Sequence, residues 1–167
     1  YFAGLQECGP DEALTTDPAD DWAPSWSPDG SQLAFVSEMD GNADIWVVDL
    51  DGSNLTSLTR DEAQDHSPAW SPDGNWLAFA SDRDGDMGAY RKRSDGSGQA
   101  EQMIAPDEIP NPFPNSWSPD GRQIIYLRSW TDKITDRHEI FKGTYEVQKS
   151  QQGPVIVLHE PSKQDDI

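Results

Sequence analysis

Residues able to carry out chemistry are few and far apart in this sequence. No Gly-x-Ser-x-Gly motif, which would present a nucleophilic serine on a tight turn, occurs in the 167 residues. The three histidines, His66, His138 and His159, show none of the His-x-x-x-His spacing that places two metal ligands on one helix face. The single cysteine, Cys8, falls in a predicted turn and has no recognisable base partner. The sequence therefore predicts no catalytic residue and favours a binding function.

Acidic side chains are the stronger candidates for a ligand site. Asp82, Asp84 and Asp86 alternate along the segment SDRDGDMG, and calcium prefers clusters of oxygen ligands. The segment lacks the further ligands and the distal Glu of an EF-hand. Asp-Gly is also ordinary hairpin chemistry, so the pattern fits either a plain hairpin loop or a calcium site. Calcium is the one cofactor that the sequence suggests.

The net charge argues against two classes of partner. It is −19, from 31 acidic and 12 basic residues. Nucleic acids and anionic membrane surfaces are bound by clustered Lys and Arg, so we expect neither as a partner. No segment approaches the ~20 consecutive apolar residues of a membrane span, so we expect no membrane insertion. The acidity fits a solvated surface, a saline habitat or cation binding.

A repeated pentapeptide organises the chain. Trp26, Trp70 and Trp117 each begin Trp-Ser-Pro-Asp-Gly, at spacings of 44 and 47 residues. Pro fixes the first corner of a type I turn, and Gly leads into the next strand, so each copy predicts a hairpin. Repeats of this length are typical of propeller blades, which bury their faces only by stacking on neighbours.

Each repeat has enough strand signals for one four-stranded blade. In the first repeat the strand with the Trp is followed by residues 33–36, by Asp44–Asp49 and by residues 55–59. The third repeat has a longer predicted loop at 130–137 and a predicted fourth strand at 155–158. The sequence thus predicts an all-β fold, a β-propeller of four-stranded blades.

The N-terminal segment aligns with the middle of a repeat. Residues 14–26 align without gaps on residues 58–70, which places Tyr1 and Phe2 in the third strand of a preceding blade. We therefore expect about three and a half blades, fewer than the roughly 4 to 8 of a propeller. Either the chain is part of a longer propeller, or a second copy completes the ring as a homo-oligomer. The predicted units are 1–21 (half of a preceding blade), 22–61, 62–107 and 108–159 (blades) and 160–167 (a tail).

The order of these motifs resembles a known family. Trp-Ser-Pro-Asp-Gly, Leu-Ala-Phe-x-Ser and Asp-Ile-Trp-Val-Val-Asp-x-Asp-Gly are similar to the TolB-type propeller repeat, also called the PD40 or WD40-like β-propeller repeat. The resemblance is close over 14–127 and loose over 128–159. It implies an extracytoplasmic binding scaffold, periplasmic or secreted. The same repeat also occurs in propellers that gate prolyl-oligopeptidase-like peptidases and in oligogalacturonate lyases.

Function is expected where the repeats differ, because the shared residues specify the fold. His66 replaces Trp22 at the same position of the next blade, preceded by Asp65 and Asp21. Acidic residues here precede the inner strands, so they either converge on the central channel and bind a cation or remain solvated. The basic run 91–93 fits either a charged outer strand that protects a sheet edge or a docking site for an acidic partner. The candidate partner-binding residues are Trp22, His66, Asp21, Asp65, Arg91 and Arg93.

Three functions remain open from the sequence. The first is a non-enzymatic scaffold that binds a protein or peptide at its loop face or channel mouth. The second is the gating propeller of a prolyl-oligopeptidase-like serine peptidase whose catalytic domain lies outside these residues. The third is a cation- or glycan-binding propeller, such as a lectin or a metal-assisted lyase, although a lyase would need histidine clusters that are missing. We expect the first.

Overall fold

The computed structural model describes residues 13–105, 110–132, 135–150 and 153–159, with side chains up to residue 127. The predicted half blade at 1–21 lies mostly outside the described residues, and the predicted tail at 160–167 lies wholly outside them. Within the described part of the chain, no helix is long and apolar enough to cross a membrane.

The described residues form three antiparallel four-stranded sheets, each in simple chain order. Blade 1 contains β1 (Asp21–Trp26), β2 (Gln32–Ser37), β3 (Asp44–Asp49) and β4 (Thr56–Ser57). Blade 2 contains β5 (Asp65–Trp70), β6 (Trp76–Ser81), β7 (Gly88–Arg93) and β8 (Glu101–Ile104). Blade 3 contains β9 (Pro112–Trp117), β10 (Gln123–Asp132), β11 (Thr135–Ser150) and β12 (Gly153–His159). The predicted all-β architecture of four-stranded blades is confirmed.

The Ser-Pro-Asp-Gly turns have one hydrogen-bonding pattern. In blade 1 the Gly30 amide donates to the Ser27 carbonyl at 2.9 Å, and Gly30 has a φ of +72°. The Asp29 carboxylate accepts hydrogen bonds from the Ser27 hydroxyl and from the Ser31 amide. Blades 2 and 3 repeat the same bonds around Asp73 and Asp120. Proline, a carboxylate acceptor and a glycine with positive φ are what this turn requires, so the repeated sequence gives repeated hairpins.

Alternation of the hairpins gives each blade two distinct ends. The Ser-Pro-Asp-Gly turns and the β3–β4 and β7–β8 connections lie at one end, which we call the turn end. The β2–β3 and β6–β7 loops and the first residues of the inner strands β1, β5 and β9 lie at the other, which we call the loop end.

Apolar side chains from alternate strand positions fill the space between blades. One core contains Ala34, Val36, Ile45, Val47, Leu58, Trp70, Leu77, Phe79 and Tyr90, and joins blade 1 to blade 2. A second contains Ala78, Ala89, Met103, Ile104, Ile124 and Tyr126, and joins blade 2 to blade 3. Because successive side chains of a strand point to opposite faces, the middle strands β2 and β6 bury both faces, and their sequences are continuously apolar.

The repeated tryptophan fixes one blade to the next. The Trp70 indole N–H donates to the Ser25 carbonyl of blade 1 at 3.1 Å. The Trp117 indole N–H donates to the Ala69 carbonyl of blade 2, also at 3.1 Å. The acceptor is in both cases the residue immediately before the preceding repeat's Trp. The repeated Trp therefore packs between two neighbouring blades and, through its hydrogen bond, also fixes their relative position.

Each inner strand is interrupted by a bulge near its start. The β1–β2 register shifts between Trp22 and Ser25, and the β5–β6 register shifts between His66 and Ala69. Ala23 and Ser67, which follow the first residue of each pair, have φ values of 52° and 55°. A bulge bends the strand and changes the direction of neighbouring side chains, so it redirects Trp22 and His66 relative to a regular ladder.

Blade 3 departs from the predicted pattern. The loop predicted at 130–137 is wrong, because β10 and β11 continue as a paired ribbon through Trp130↔Arg137 and Asp132↔Thr135. The fourth strand pairs with a different part of β11 from the part that β10 uses. β10 pairs with β11 residues up to Thr144, whereas β12 pairs with β11 from Thr144 onward. The predicted strand at 155–158 lies within β12. Extra residues thus lengthen a hairpin instead of forming a loop.

Candidate functional site

Three aromatic rings occupy one repeated position at the loop end. Trp22, His66 and Phe113 are each the second residue of an inner strand, and they pair with Val36, Ala80 and Leu127 of the neighbouring strand. All three side chains are half-buried. The rings of Trp22 and His66 lie 6.2 Å apart with planes inclined by 36°. We call these three residues the aromatic row.

Phe113 is the member of the row that sequence reasoning missed. The register that places Pro112 at the position of Asp65 also places Phe113 at the position of His66. The replacement of Asp65 by Pro112 in the third repeat obscures this equivalence in the sequence. The row consists of three different ring types, so only the position reveals it.

The two inner-strand aspartates have different environments. Asp21 is exposed, and its carboxylate accepts a hydrogen bond from the Thr15 hydroxyl at 2.6 Å. Asp65 is completely buried, and both of its carboxylate oxygens lie 3.1 Å from Arg83 Nη2. Burial raises the pKa of Asp65, while hydrogen bonds from Ser81 and the charge of Arg83 act in the opposite direction. Asp21 is therefore accessible to a partner, whereas Asp65 is enclosed.

Arg83 joins the loop end of blade 2 to blade 1. Its guanidinium lies 3.3 Å from the Asp61 carboxylate, and its Nε donates to the Ser81 hydroxyl. The same group lies over the rings of Phe79 and Tyr90, 5.2 and 5.0 Å from their centroids. Sequence reasoning gave Arg83 no role, because its counterpart in the first repeat is Met39.

A second buried carboxylate lies beside this pair. Asp44, at the start of β3, is 1% exposed and accepts a hydrogen bond from the Thr59 hydroxyl at 2.9 Å. Burial, and then the charges of Asp65 and Asp61, raise the pKa of Asp44 to about 6, although the bond from Thr59 opposes the shift. Two buried carboxylates with one nearby arginine make this a region of excess negative charge.

Burial favours the neutral form of the His66 imidazole. Burial lowers the pKa of His66, and the negative charges of Asp65, Asp82 and Glu38 only partly offset that effect. A neutral imidazole that is half-exposed can donate and accept a hydrogen bond at once. It can also pack as an aromatic ring against a partner, as it already does against Trp22.

Two carboxylates of the predicted calcium loop already accept hydrogen bonds from the protein itself. Asp82 accepts a hydrogen bond from the Gln64 amide at 2.8 Å, and Asp84 accepts one from the Tyr90 hydroxyl at 2.6 Å. Among the described residues, no three His, Cys, Asp or Glu side chains are grouped so that they could hold a metal ion. Calcium binding by Asp82, Asp84 and Asp86 stays a prediction to which this geometry adds no support.

The basic run lies at the opposite end from the aromatic row. Its interpretation as an outer edge strand is wrong, because β7 pairs with β6 on one side and with β8 on the other. Arg91 is 7% exposed, forms an ion pair with Glu101 at 2.6 Å and lies 4.2 Å from the Trp76 ring centroid. Arg93 is exposed and lies 3.8 Å from Asp95. The six predicted partner-binding residues therefore divide into two groups, one at each end of the blades.

Comparison with known proteins places this geometry in a family. The chain matches the family model described as the TolB beta propeller domain, PD40, over residues 7–152. It is similar to the putative TolB of Agrobacterium tumefaciens, at 27% identity and a TM-score of 0.64, covering 87% of this chain and 50% of that one. A comparison with curated protein sequences gives no match.

Two further solved structures share the fold. TolB of Acinetobacter baumannii has 24% identity and a TM-score of 0.65, covering 93% of this chain and 36% of that one. An oligogalacturonate lyase of Vibrio parahaemolyticus has 20% identity and a TM-score of 0.57, covering 80% and 36%. The chain spans half or less of the length of each of these three structures. Since the family model matches most of its residues, the chain belongs to the TolB beta propeller family.

Proposed function

We propose that this chain is a non-enzymatic, extracytoplasmic scaffold that binds a protein or peptide partner at the loop end of its blades. The observation that carries the proposal is the aromatic row, in which Trp22, His66 and Phe113 repeat at one strand position and remain half-exposed. Rigid aromatic rings bury a large contact area at low entropic cost, and they are enriched where proteins bind one another.

Charge around the aromatic row indicates the kind of partner. The described residues at the loop end include the exposed or half-exposed acids Asp21, Glu38, Asp40, Asp61, Glu62, Asp82, Asp84 and Asp86. Arg83, at the same end, is already bound by Asp61 and Asp65. A partner with apolar side chains flanked by Lys or Arg would complement this surface. We therefore expect its affinity to fall as salt is added.

Membership of the TolB family supports a binding role over the two alternatives. Among the described residues, no three His, Cys, Asp or Glu side chains are grouped as metal ligands. The peptidase-gating role requires a catalytic domain on the same protein, and the glycan-binding role requires an affinity for sugars. Neither has a feature among the described residues that favours it over partner binding.

The experiment begins with immobilised chain and a periplasmic extract of a TolB-bearing bacterium. A captured protein is purified, and its Kd is measured by calorimetry for the wild type and for the double variant Trp22→Ala/His66→Ala. We expect the double variant to weaken binding by at least about 10-fold. The matched control is Trp26→Ala, which removes an exposed tryptophan at the turn end and should leave the Kd unchanged.

Two results would contradict the proposal. One is an equal Kd for the wild type and the Trp22/His66 double variant. The other is heat from an acidic oligosaccharide but none from any captured protein, which would favour the glycan-binding alternative instead.

A further inference from the structure

Blade 1 repeats the acceptors of the Arg83 guanidinium but not the arginine. In blade 2 three side chains accept from this guanidinium, namely Asp61, Asp65 and Ser81. Each has an identical residue 44 positions earlier in blade 1, namely Asp17, Asp21 and Ser37. At the position of Arg83, however, blade 1 has Met39. Blade 1 therefore carries the acceptors of a guanidinium without a basic side chain of its own at that position.

The segment before the inner strand holds its aspartate in the same way in both blades. In blade 2 the Asp61 carboxylate accepts a hydrogen bond from the Ala63 amide at 3.1 Å. In blade 1 the Asp17 carboxylate accepts one from the Ala19 amide at 2.9 Å. The equivalence of the two segments is therefore one of local structure as well as of sequence.

The aspartate of the inner strand also has the same neighbour in both blades. Asp65 pairs directly with Ser81 across β5 and β6. Asp21 pairs with Ser37 across β1 and β2 in the same way. Side chains of directly opposite residues lie on the same face of a sheet. The Ser37 hydroxyl therefore lies on the face from which Asp21 projects.

Ser37 gives independent evidence that a further polar group belongs at this position. Its hydroxyl is completely buried and has no hydrogen-bond partner among the described residues. The Ser81 hydroxyl is also completely buried, but it accepts a hydrogen bond from Arg83 Nε at 2.9 Å. A buried hydroxyl without a partner is unfavourable, because it has given up its hydrogen bonds to water. A donor at the position equivalent to Arg83 would satisfy Ser37.

A small pocket beside Asp21 provides room for such a donor. Its volume is about 180 Å³, and its lining includes Thr15, Asp21, Trp22 and Phe35. A cavity of roughly 150 Å³ holds a benzene-sized molecule, so this pocket can admit a planar guanidinium. Met39 is half-buried, and the flexible side chain of a methionine can shift to let a ligand reach Ser37.

The aromatic rings around the guanidinium are repeated as well. In blade 2 Arg83 lies over the rings of Phe79 and Tyr90, which pair with each other across β6 and β7. The corresponding pair across β2 and β3 of blade 1 is Phe35 and Trp46. Aromatic faces attract a cation, and a tryptophan does so more strongly than a tyrosine. The surroundings of this position in blade 1 therefore favour a cationic ligand.

Asp17 and Asp21 have no basic partner among the described residues. The ion pairs in this part of the chain are formed by Arg83, Arg91 and Arg93, and none of them includes either aspartate. Residues 1–12 contain no Lys, Arg or His. The two carboxylates are therefore available to a cation from another molecule.

We propose that Asp17, Asp21 and Ser37 bind one arginine side chain of the partner, in the arrangement that Arg83 adopts in blade 2. We call these three residues the arginine site. A guanidinium can donate to both aspartates and the serine at once, which the compact ammonium of a lysine cannot do with this geometry. The site lies beside Trp22 of the aromatic row. The inference rests on the proposed function, because the arginine belongs to the partner bound there.

The test measures the binding of a single arginine side chain by NMR titration of the full chain. The probe is acetyl-argininamide, and acetyl-lysinamide at the same ionic strength is the comparison. We expect the arginine probe to shift the amide signals of residues 15–22 and 35–39. We also expect it to bind at least about 5-fold more tightly than the lysine probe.

Variants show whether the probe occupies the arginine site. Asp21→Asn should weaken binding by at least about 10-fold, because it removes the carboxylate charge that faces the guanidinium. Met39→Arg should abolish binding, because the new side chain can occupy the same acceptors. The matched control is Asp20→Asn, which changes the net charge equally at an exposed residue whose counterpart is Gln64. Its Kd should stay within about 2-fold of the wild-type value. Circular dichroism would confirm that each variant keeps its strands.

Four results would overturn the proposal. The first is no binding of acetyl-argininamide by the wild type, and the second is equal binding of the two probes. The third is a Kd for Asp21→Asn no weaker than that for Asp20→Asn. The fourth is undiminished binding by Met39→Arg.

These results are distinguishable from a failure of the proposed function. If the wild type binds acetyl-argininamide but captures no protein, the proposed function fails and the arginine site stands. If a captured protein depends on Trp22 and His66 whereas the probe does not bind, the arginine site fails and the proposed function stands.

Discussion

Arg83 holds Asp65 at the contact between blades 1 and 2, with Nη2 3.1 Å from both carboxylate oxygens. Asp65 is completely buried, and the charge of Arg83 favours its ionised form. Taking both charges out of water is costly, and their attraction repays that cost only while the pair is intact. We therefore expect the intact pair to add little net stability, whereas breaking it should be costly.

Removing only the arginine should be strongly destabilising. We expect Arg83→Met to lower the free energy of unfolding by about 3 kcal/mol or more, because a buried carboxylate loses its partner. Replacing both members, as Arg83→Met/Asp65→Asn, should recover most of this loss. The measurement is urea unfolding followed by tryptophan fluorescence. Asp61→Asn removes the exposed member of the cluster and should have little effect; a loss equal to that of Arg83→Met would contradict the argument.

Asp44 should make the protein less stable at neutral pH than in mild acid. Its folded pKa is about 6 against an ordinary value of 3.8, so the folded state binds the proton more tightly than the unfolded state does. The stabilisation is present in full below the ordinary pKa and is lost as pH rises through about 6. We expect Asp44→Asn to stabilise the fold at pH 7, by on the order of 1–3 kcal/mol.

The check on Asp44 is a series of thermal unfolding curves between about pH 4 and pH 7. The wild type should lose stability across this window relative to Asp44→Asn, whose curve should be flatter. Parallel curves for the two proteins would show that Asp44 does not titrate in this range. Thr59→Val is a useful companion, since losing its hydrogen bond to Asp44 should raise the pKa further.

The titration of His66 should change stability with pH in the direction opposite to that of Asp44. Burial lowers its pKa, so the neutral imidazole is favoured by the fold, and protonation destabilises the protein as pH falls below 6.5. We expect an NMR titration of the His66 ring to give a pKa below 6.5. His66→Phe imitates blade 3 at this position, so it should retain the contact with Trp22 and remove the loss of stability in acid. A pKa at or above 6.5 would contradict this assignment.

The indole-to-carbonyl hydrogen bonds should each contribute measurably to stability. Trp70→Phe and Trp117→Phe remove a donor and leave a carbonyl between the blades without its partner, at a cost of about 1–3 kcal/mol each. Trp26→Phe removes no such bond among the described residues, so it should change the free energy of unfolding of the monomer by less than about 0.5 kcal/mol. Equal losses in all three variants, measured at low protein concentration, would show that the hydrogen bond is not the cause.

The parts of this fold that could be predicted are those set by local chemistry. Pro28, Asp29 and Gly30 specify a turn by themselves, and its repetition gives the blades and their order. Strand β3 agrees with its predicted range, because Asp44–Asp49 ends at a hairpin signal. The continuous apolar runs of β2 and β6 also identified correctly the strands buried on both faces.

The parts that could not be predicted depend on contacts between distant residues. Arg83 and Asp65 are on different strand connections, and nothing in the first repeat anticipates their pairing. Arg91 was expected on an outer strand, but the addition of β8 buries it against Glu101 and Trp76. The segment 130–137 has loop-like composition, and only pairing between β10 and β11 makes residues 130–132 and 135–137 a ribbon. The composition of a segment indicates the conformation that it prefers, whereas pairing with neighbouring strands determines the conformation that it adopts.

Strand β10 is longer than β9, so the β10–β11 ribbon extends beyond β9 at the loop end. Pairing of β9 with β10 stops at Pro112↔Arg128, while β10 and β11 continue together to Asp132↔Thr135. Four further residues at about 3.3 Å each carry this ribbon some 13 Å beyond Pro112. Within the described residues, no strand pairs with the β9 side of that projecting segment. Its backbone N–H and C=O groups form a short open edge, onto which an extended peptide crossing the aromatic row could add as a further strand.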